Sequence, residues 1–596
     1  MTSIEPLLPL TPSLFSNEEW KQINALLARL DNSQRLWLSG YLLSFKGEVF
    51  TVDTTAEAVA QSHMLVAYGT ETGNSKQLAH QLAEQATRAG SSVQLVNLAE
   101  YRFRQLMHEE MLFIICSTHG DGDAPEPIGE FYAALMNEKT ASLHHLTFAV
   151  LALGDTSYPL FCEAGKNIEQ RLIQLGAKPA IARVDCDVDY QEAAEQWINQ
   201  VIEHLPKTPA TQTGTEQAAT PVLTQDAAEE YSKNNPCVAK VIENIPLTET
   251  TSDRNVHHLE LALPDGNLSL KAGDAIGIFA HNSNSLITDI FQLTGLDETA
   301  DVIINQRSMT LREALQTQVD LVIPGKKFLT TWAQWCQDPA LQKVATADFT
   351  EQRSFLRNHQ IIDILLEYPA APAAQEFVDI LRPLQPRLYD LANHINNDHE
   401  IHILVKQYRY PFRNREEKGM ASTWLTTLAA EDTVLIYPHV NKKFHLPTIE
   451  NLPLIFIGCD TGVAPYRSFL QALKAQGCRN PCWLILDADL TSGEILYQLD
   501  WLGARTQGSL VYVDPFYCAG NPVASVESIL TANSIRLLEW ILMGAHIYLC
   551  GDRSVLHPCE KLLEKICTDY GRQRKMPEGF SWLQLVKQER IHLNLY

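Results

Sequence analysis

Tyr68 to Ser75 reads Y-G-T-E-T-G-N-S, directly after the apolar run Met64 to Ala67 and directly before a helical pattern. That order predicts a strand, a tight turn and a helix whose first free N–H groups converge on one point. Such a turn binds a phosphate with neutral donors. Thr70, Thr72 and Asn74 add side-chain donors, and Gly73 lets the backbone come close. No Lys of the nucleoside-triphosphate type is present, which argues against a triphosphate with magnesium. By itself the stretch could still be an ordinary turn between a strand and a helix.

Two more segments have the same placement. Cys116 to Pro127 (C-S-T-H-G-D-G-D-A-P-E-P) follows the expected strand Leu112 to Ile115, and Leu153 to Cys162 (L-G-D-T-S-Y-P-L-F-C) follows the expected strand Phe148 to Leu151. Three loops that each follow a strand gather at the carboxyl edge of one parallel sheet, the ligand edge of a flavodoxin-like α/β fold. Gly120, Gly122 and Gly154 would bring backbone amides to a flat heterocycle, and Tyr158 could stack on it. The alternative is three surface loops rich in turn residues. A phosphate loop, a glycine loop and an aromatic loop in this order predict FMN.

These loops closely resemble the FMN domain of the diflavin reductases, and L-G-D-T-S-Y followed by F-C is similar to the branch that serves sulfite reductase. Further along, Arg387 to Asp390 (R-L-Y-D) resembles the family's R-x-Y-S flavin motif. Gly419 to Thr423 (G-M-A-S-T) resembles its FAD-pyrophosphate loop. Gly458 to Arg467 (G-C-D-T-G-V-A-P-Y-R) resembles its G-x-G-T-G-x-A-P-F-R, Cys550 to Asp552 its C-G-D, and Tyr596 its last aromatic. Trp37 and Ser39 to Tyr41 also look like that branch.

The resemblance implies a set of site residues. FMN would lie against Thr70, Glu71, Thr72, Gly73, Asn74, Ser75, Ser117, Thr118, His119, Gly120, Leu153, Gly154, Asp155, Tyr158, Phe161 and Cys162. FAD would lie against Arg387, Leu388, Tyr389, Asp390, Leu404, Val405, Lys406, Tyr410, Gly419, Met420, Ala421, Ser422, Thr423 and Tyr596. An NADP site would use Gly458, Thr461, Gly462, Pro465, Arg467, Cys518, Ala519 and Asp552, and catalysis would involve Asp390, Cys550 and Asn594. Arg387 suits pyrophosphate as a bidentate guanidinium, Ser422 and Thr423 as phosphate donors. Tyr389 and Tyr410 could equally be packing residues of a β-barrel. Asp121, Asp123, Glu126 and Asp155 in or beside the FMN loops would oppose an anionic reduced flavin, at about 1–4 kcal/mol per pair; each of them could equally face solvent.

The architecture expected is a multidomain α/β chain. A segment at 1–60 carries the capping box Ser16/Glu19 and the stripe Ile23, Leu26, Leu27 and Leu30, which suits assembly with another domain or another copy, hence a homo-oligomer. A flavodoxin-like FMN domain is expected at 62–205, and a flexible linker at 206–235 opens K-T-P-A-T-Q-T-G-T. A flavin-reductase β-barrel is expected at 236–450, with a helical insert at about 283–380 and helical patterns at Phe355 to Leu366 and Ala374 to Leu381. Strands are expected at His257 to Leu263 and Ile401 to Lys406, and a tight turn at Ala272 to Gly277. An open α/β domain of the nucleotide-binding type follows at 452–596.

A net charge of −24 over 596 residues argues against nucleic acid or an anionic membrane and suits a basic protein partner. The apolar runs are too short to span a membrane, and the first ten residues lack the pattern of a signal peptide. Twelve cysteines without C-x-x-C pairs suggest reduced thiols in a cytoplasm and no metal site.

Against the family pattern, the serine beside the flavin is Asp390 and the acid near the C-terminal aromatic is Asn594. In the third domain Cys459 and Asp460 replace a small residue and Gly, and Cys518 and Ala519 stand where Ser-Arg would grip the 2′-phosphate of NADPH. Asp460 would oppose the pyrophosphate in both charge and backbone geometry. Three readings follow. The resemblance implies a flavoprotein of the sulfite reductase branch, passing electrons from NADPH through FAD and FMN to a haem and iron–sulfur partner; or a diflavin electron-transfer protein with a lost or weakened NADPH site, fed by another donor; or a non-turnover assembly subunit.

Overall fold

The structure, a computed structural model, describes residues 63–205 and 231–596, apart from 71–72, 119–121, 139–140, 157, 159, 249–253, 264–267, 269, 396–398, 450, 490–492, 518–521 and 574–580. The expected assembly segment 1–60, the linker as far as residue 230, and Glu71, Thr72, His119, Gly120, Asp121, Cys518 and Ala519 lie outside the described residues.

β1 (His63–Gly69), β2 (Ser92–Asn97), β3 (Met111–Ser117) and β4 (Thr147–Leu153) form a parallel sheet in the order 2-1-3-4. β5 (Lys178–Pro179) and β6 (Val184–Cys186) pair with successive parts of β4, so together they fill the fifth place. Strand alternation sends Leu65, Ala67 and Ile114 into one helical layer and Val66, Phe113 and Ile115 into the other. A parallel sheet covered on both faces therefore reads as continuous apolar runs. Gly69 pairs with Cys116 and Ser117 with Leu153, so the three loops leave the sheet at one level, at its topological switch point.

β7 (Cys237–Pro246), β8 (Val256–Ala262) and β9 (Ala275–Phe279) open a second, antiparallel sheet. The expected turn at Ala272 to Gly277 is confined to the residues before Ala275. Gly273 has φ 98°, and a Cβ there would lie 1.8 Å from the Phe444 carbonyl oxygen. The insert follows as seven helices among the described residues, between Asn284 and Asp379, with the hairpin β10 (Asp301–Ile304) and β11 (Arg307–Thr310) inside it. Its turn residues Asn305 and Gln306 are left-handed, as a two-residue hairpin requires. The pattern Phe355 to Leu366 is two helices, Phe349–Arg357 and Ile361–Glu367, rather than one. The break arises because the Gln360 N–H donates to Asp363 at 2.8 Å and starts a new capped turn. The pattern Ala374 to Leu381 is helical as far as Asp379.

β12 (Arg387–Asp390) and β13 (Glu400–Lys406) return to the second sheet, the hairpin β14 (Arg409–Phe412) with β15 (Arg415–Lys418) stands outside it, and β16 (Thr433–His439) completes it. Its order is β12-β9-β16-β7-β8-β13, and the two edges meet at one bridge, Leu391 to Ile403. Ile276, Ile278, Ile401, Ile403 and Ile436 fill its interior.

β17 (Leu454–Gly458), β18 (Cys482–Ala488), β19 (Leu510–Tyr517), β20 (His546–Gly551) and β21 (Ile591–Leu595) form a third sheet, parallel throughout, in the order β19-β18-β17-β20-β21. Its order reverses between β17 and β20, which puts a crevice beside Gly458 and Gly551. No helix among the described residues is long and apolar enough to cross a membrane.

Two histidines, His258 buried and His546 half-buried, make the fold sensitive to acid. Burial first, then His402 and Arg467, lowers the pKa of His258 to about 3; burial first, then His592 and Arg590, lowers that of His546 to about 4. In the unfolded chain both titrate near ~6.5. Between these values the unfolded state binds more protons, so stability falls as pH falls below about 6.5. For His258 the loss reaches about 2 kcal/mol at pH 5. The melting temperature should therefore drop between pH 7.5 and pH 5, and His258→Gln should flatten the drop; equal slopes for both proteins would overturn this assignment.

Candidate functional site

At the edge of the first sheet, Gly73 stands before the helix Asn74–Arg88 with φ 91°, a conformation costly for any β-branched residue. The Thr70 hydroxyl accepts the Gly73 N–H at 2.9 Å and so shapes the turn. Thr118 is anchored by its N–H to the Leu153 carbonyl at 2.8 Å, and Ser117 Oγ donates to Gly69 O at 3.4 Å. Ser75 Oγ, in the first turn of the helix Asn74–Arg88, and Thr118 Oγ1, on the loop after β3, are buried without a hydrogen-bond partner. A buried hydroxyl left unpaired costs about 1–3 kcal/mol, so this pair fits a phosphate-bearing ligand such as FMN. Tyr158 is half exposed, free to cover a planar ring. Phe161 and Cys162 differ from the expectation: they pack with Ala152 beneath the loop, and Cys162 Sγ donates to the Ala152 carbonyl at 3.4 Å. Gly154 must be small, because a Cβ would meet Cys162 at 2.9 Å.

The insert reaches this edge. Arg382, with a side chain only 3% exposed, contacts Asp155 at 2.5 Å and Asp187 at 3.2 Å. Asp187 in turn accepts from Thr156 Oγ1 at 2.6 Å, Arg353 donates to the Tyr158 carbonyl at 2.6 Å, and Arg553 contacts Asp123 at 2.5 Å. A cavity of ≈ 320 Å³ lies at this junction, lined by Thr156, Ile323, Leu356, Gln360, Tyr410 and Phe412. Tyr410 thus lies at the junction, its hydroxyl accepting from Gln360 at 3.2 Å.

On the second sheet, Arg387 and Leu388 are exposed, Tyr389 is half-buried, and Leu404 and Val405 are core. Gly419 precedes the helix Met420–Thr427, in which Ala421 is buried. Ser422 Oγ is engaged within its own loop, accepting from the Tyr408 N–H at 3.0 Å and donating to the Gly419 carbonyl. Thr423 Oγ1 is buried without a partner and fits a pyrophosphate oxygen of FAD. Lys406 points elsewhere, to Asp460 of the third sheet; burial lowers its pKa and Asp460 more than reverses this.

Asp390, Cys550 and Asn594 come from three strands and meet. Asn594 Nδ2 donates to Asp390 Oδ1 at 2.9 Å, and the Cys550 thiol lies 3.5 Å from both Asp390 Oδ2 and Asn594 Nδ2. Burial raises the Asp390 pKa to about 6, against the hydrogen bonds from Asn594 and Cys550. Burial and Asp390 push the Cys550 thiol well up, so it stays protonated. Tyr596 is 58% exposed, its hydroxyl 2.8 Å from Thr461 Oγ1, which leaves its ring open to a flavin.

In the third sheet, Gly462 is forced by the Cys550 carbonyl, 2.0 Å from a hypothetical Cβ, and Gly458 by the Tyr466 ring at 2.8 Å. Pro465 starts the helix Ala464–Ala475, and Asp552 binds Ser554. Arg467 is not at the phosphate loop: it contacts Asp500 at 2.9 Å, donates to the Ala392 carbonyl, and lies over Tyr497. Asp460 adopts φ 59°, which Asp tolerates, so the expected conflict with the backbone does not arise. Its carboxylate pairs with Lys406 and Arg254, the latter also held by Asp487 at 2.7 Å. Arg254, Asp487 and Arg382 carry no local motif, since their partners lie up to 227 residues away. His258, Glu260 and His402 bring ligand atoms within 4.8 Å of one another, but Arg467 beside both rings opposes a cation.

Residues 66–197 match the flavodoxin family model, and residues 229–424 the FAD binding domain model. A sulfite reductase (NADPH) flavoprotein alpha-component of Shewanella sp. (strain ANA-3) is 33% identical over 557 residues, covering 91% of each chain. The protein of that name from Photorhabdus laumondii is 33% identical over 96% of each chain, and that from Bacillus subtilis (strain 168) 30% identical over 98% of this chain and 99% of its own. With those loops, sheets and relatives, the chain belongs to the family of sulfite reductase flavoprotein alpha-components.

Proposed function

We propose that this chain is the flavoprotein component of an assimilatory sulfite reductase. Electrons from NADPH pass through FAD to FMN and on to a haem and iron–sulfur partner that reduces sulfite. The observation that carries the reading is the junction at Arg382: the connection from the helical insert to β12 holds Asp155 of the FMN loop, so the FMN edge packs against the FAD-side part of the chain. FMN supplies one-electron chemistry when bound. The chain's own part is to hold its phosphate at Ser75 and Thr118, to cover its ring with Tyr158, and to present it to the FAD side. Thr423 and Arg387 would hold the FAD pyrophosphate, with Tyr596 over the ring. The segment 1–60 would join copies of the chain, and the linker from 206 would let the FMN domain reach the partner. Free cysteines throughout the described residues support a cytoplasmic setting.

Flavin extraction tests this. The purified chain should release FMN and FAD in equal amounts, and Gly73→Val should lose FMN while keeping FAD. FMN retained by a folded Gly73→Val variant would move the phosphate site elsewhere. The pairing of Asp460 with Lys406 and Arg254 favours a second reading, in which NADPH binds weakly and another donor feeds the FAD.

A further inference from the structure

We propose that Asp460 is an internal anion of the third sheet's phosphate loop, and that it sets how tightly the crevice takes a nucleotide pyrophosphate. The inference rests on the reading of this crevice as a nucleotide site. Position 460 is where the resembled pattern has glycine, and the structure keeps a glycine-like conformation there, φ 59°. The Asp460 N–H donates to Asp487 Oδ1 at 2.8 Å, so the turn is locked and the side chain is directed by the backbone. It goes to Lys406, with Arg254 3.5 Å from its other oxygen. Arg254 is 14% exposed and Asp487 2%, Asp460 21% and Lys406 36%, so two cations and two carboxylates form a partly enclosed cluster.

The formal charge of that cluster is zero. Without the Asp460 carboxylate it becomes positive, beside Thr461 and at the start of the helix Ala464–Ala475. A helix start with two cations is an anion site; with a carboxylate already seated between them it is a satisfied one. Any incoming pyrophosphate must compete with Asp460 for both cations and approach a like charge. A carboxylate carried by the chain itself is at high effective concentration, which a free ligand must overcome.

Isothermal titration of inorganic pyrophosphate and of 2′,5′-ADP into the full-length, flavin-loaded chain tests this. Asp460→Gly should bind pyrophosphate at least tenfold more tightly than the unaltered chain, and the gain should shrink with added salt, as a charge effect must. Asp460→Asn, which keeps a residue tolerant of the left-handed turn, should show a gain of the same sign. Adding Lys406→Met to Asp460→Gly should abolish the gain, while Lys406→Met by itself should change pyrophosphate binding little. If every protein binds inorganic pyrophosphate equally well while 2′,5′-ADP also binds, the crevice is a nucleotide site but Asp460 is no competitor, and the proposal fails. If no protein binds either probe while melting temperatures are unchanged, the nucleotide reading of the crevice fails and takes the proposal with it.

Discussion

Asp390→Ser should raise the reduction potential of the bound FAD, and adding Asn594→Asp should return it towards the original value. Reduction places negative charge on the ring, and a carboxylate a few ångströms away opposes that by about 1–4 kcal/mol. For a two-electron couple this is roughly 20–90 mV. Against the family pattern the chain has an unexpected acid at 390 and a missing acid at 594, two departures 204 residues apart. In space they are one exchange: the two side chains touch at 2.9 Å, with Cys550 completing the group. The site therefore keeps one carboxylate, one thiol and one neutral polar group, and only the strand that bears the carboxylate has changed. The effect should depend on pH with a definite sign. With its pKa raised to about 6, Asp390 is charged at pH 8 and largely neutral at pH 5. The variant and the unaltered chain should differ at pH 8 and converge at pH 5. Redox titration at both values is the check; an unchanged or lowered potential in Asp390→Ser at pH 8 would mean the carboxylate is turned from the ring.

The other large effect is expected at Arg382. Its guanidinium is almost fully enclosed and faces Asp155 and Asp187, both on the FMN side. Removing one partner of a buried ion pair costs about 3–5 kcal/mol when the remaining charge stays buried. Here the two carboxylates regain water if the FMN unit moves away, so Arg382→Ala should open the junction rather than unfold the chain. Small-angle scattering should show a larger radius of gyration, and transfer from FAD to FMN should slow at least tenfold while both flavins stay bound. An unchanged radius with unchanged transfer would show that Arg353 and Arg553 hold the junction without it. Arg382→Lys should be intermediate: an ammonium can reach two carboxylates, as the single Nη2 does here, but it is more strongly hydrated than a guanidinium and costs more to enclose.

Much of the first sheet was legible because its signals are local. A strand, a glycine turn and a helix are neighbours in the chain, and three repeats of that order imply one sheet edge. The helical insert was legible as a region, but its division at Asn358 to Gln360 was not. Apolar periodicity runs through both helices, whereas the break depends on one backbone hydrogen bond to Asp363. Phe161 and Cys162 show the opposite limit. They lie in the loop's sequence, yet the turn into the helix Glu163–Gln174 packs both of them under it against Ala152.

By itself, the sequence determined the order of the three sheets, the flavin loops and the chemical groups available at each. These follow from residue type and short spacing, which depend on backbone sterics within a few residues. The tertiary structure decided which of those groups act together. It turned Lys406 from the flavin to Asp460, sent Arg467 into the packing around Tyr497, and joined Asp390 to Asn594. It also drew Arg254 and Arg382, which no motif marks, into the two charged junctions. The physical reason is the range of the forces. Hydrogen bonds and ion pairs act over a few ångströms in space, and the chain brings residues that close only after the sheets have packed.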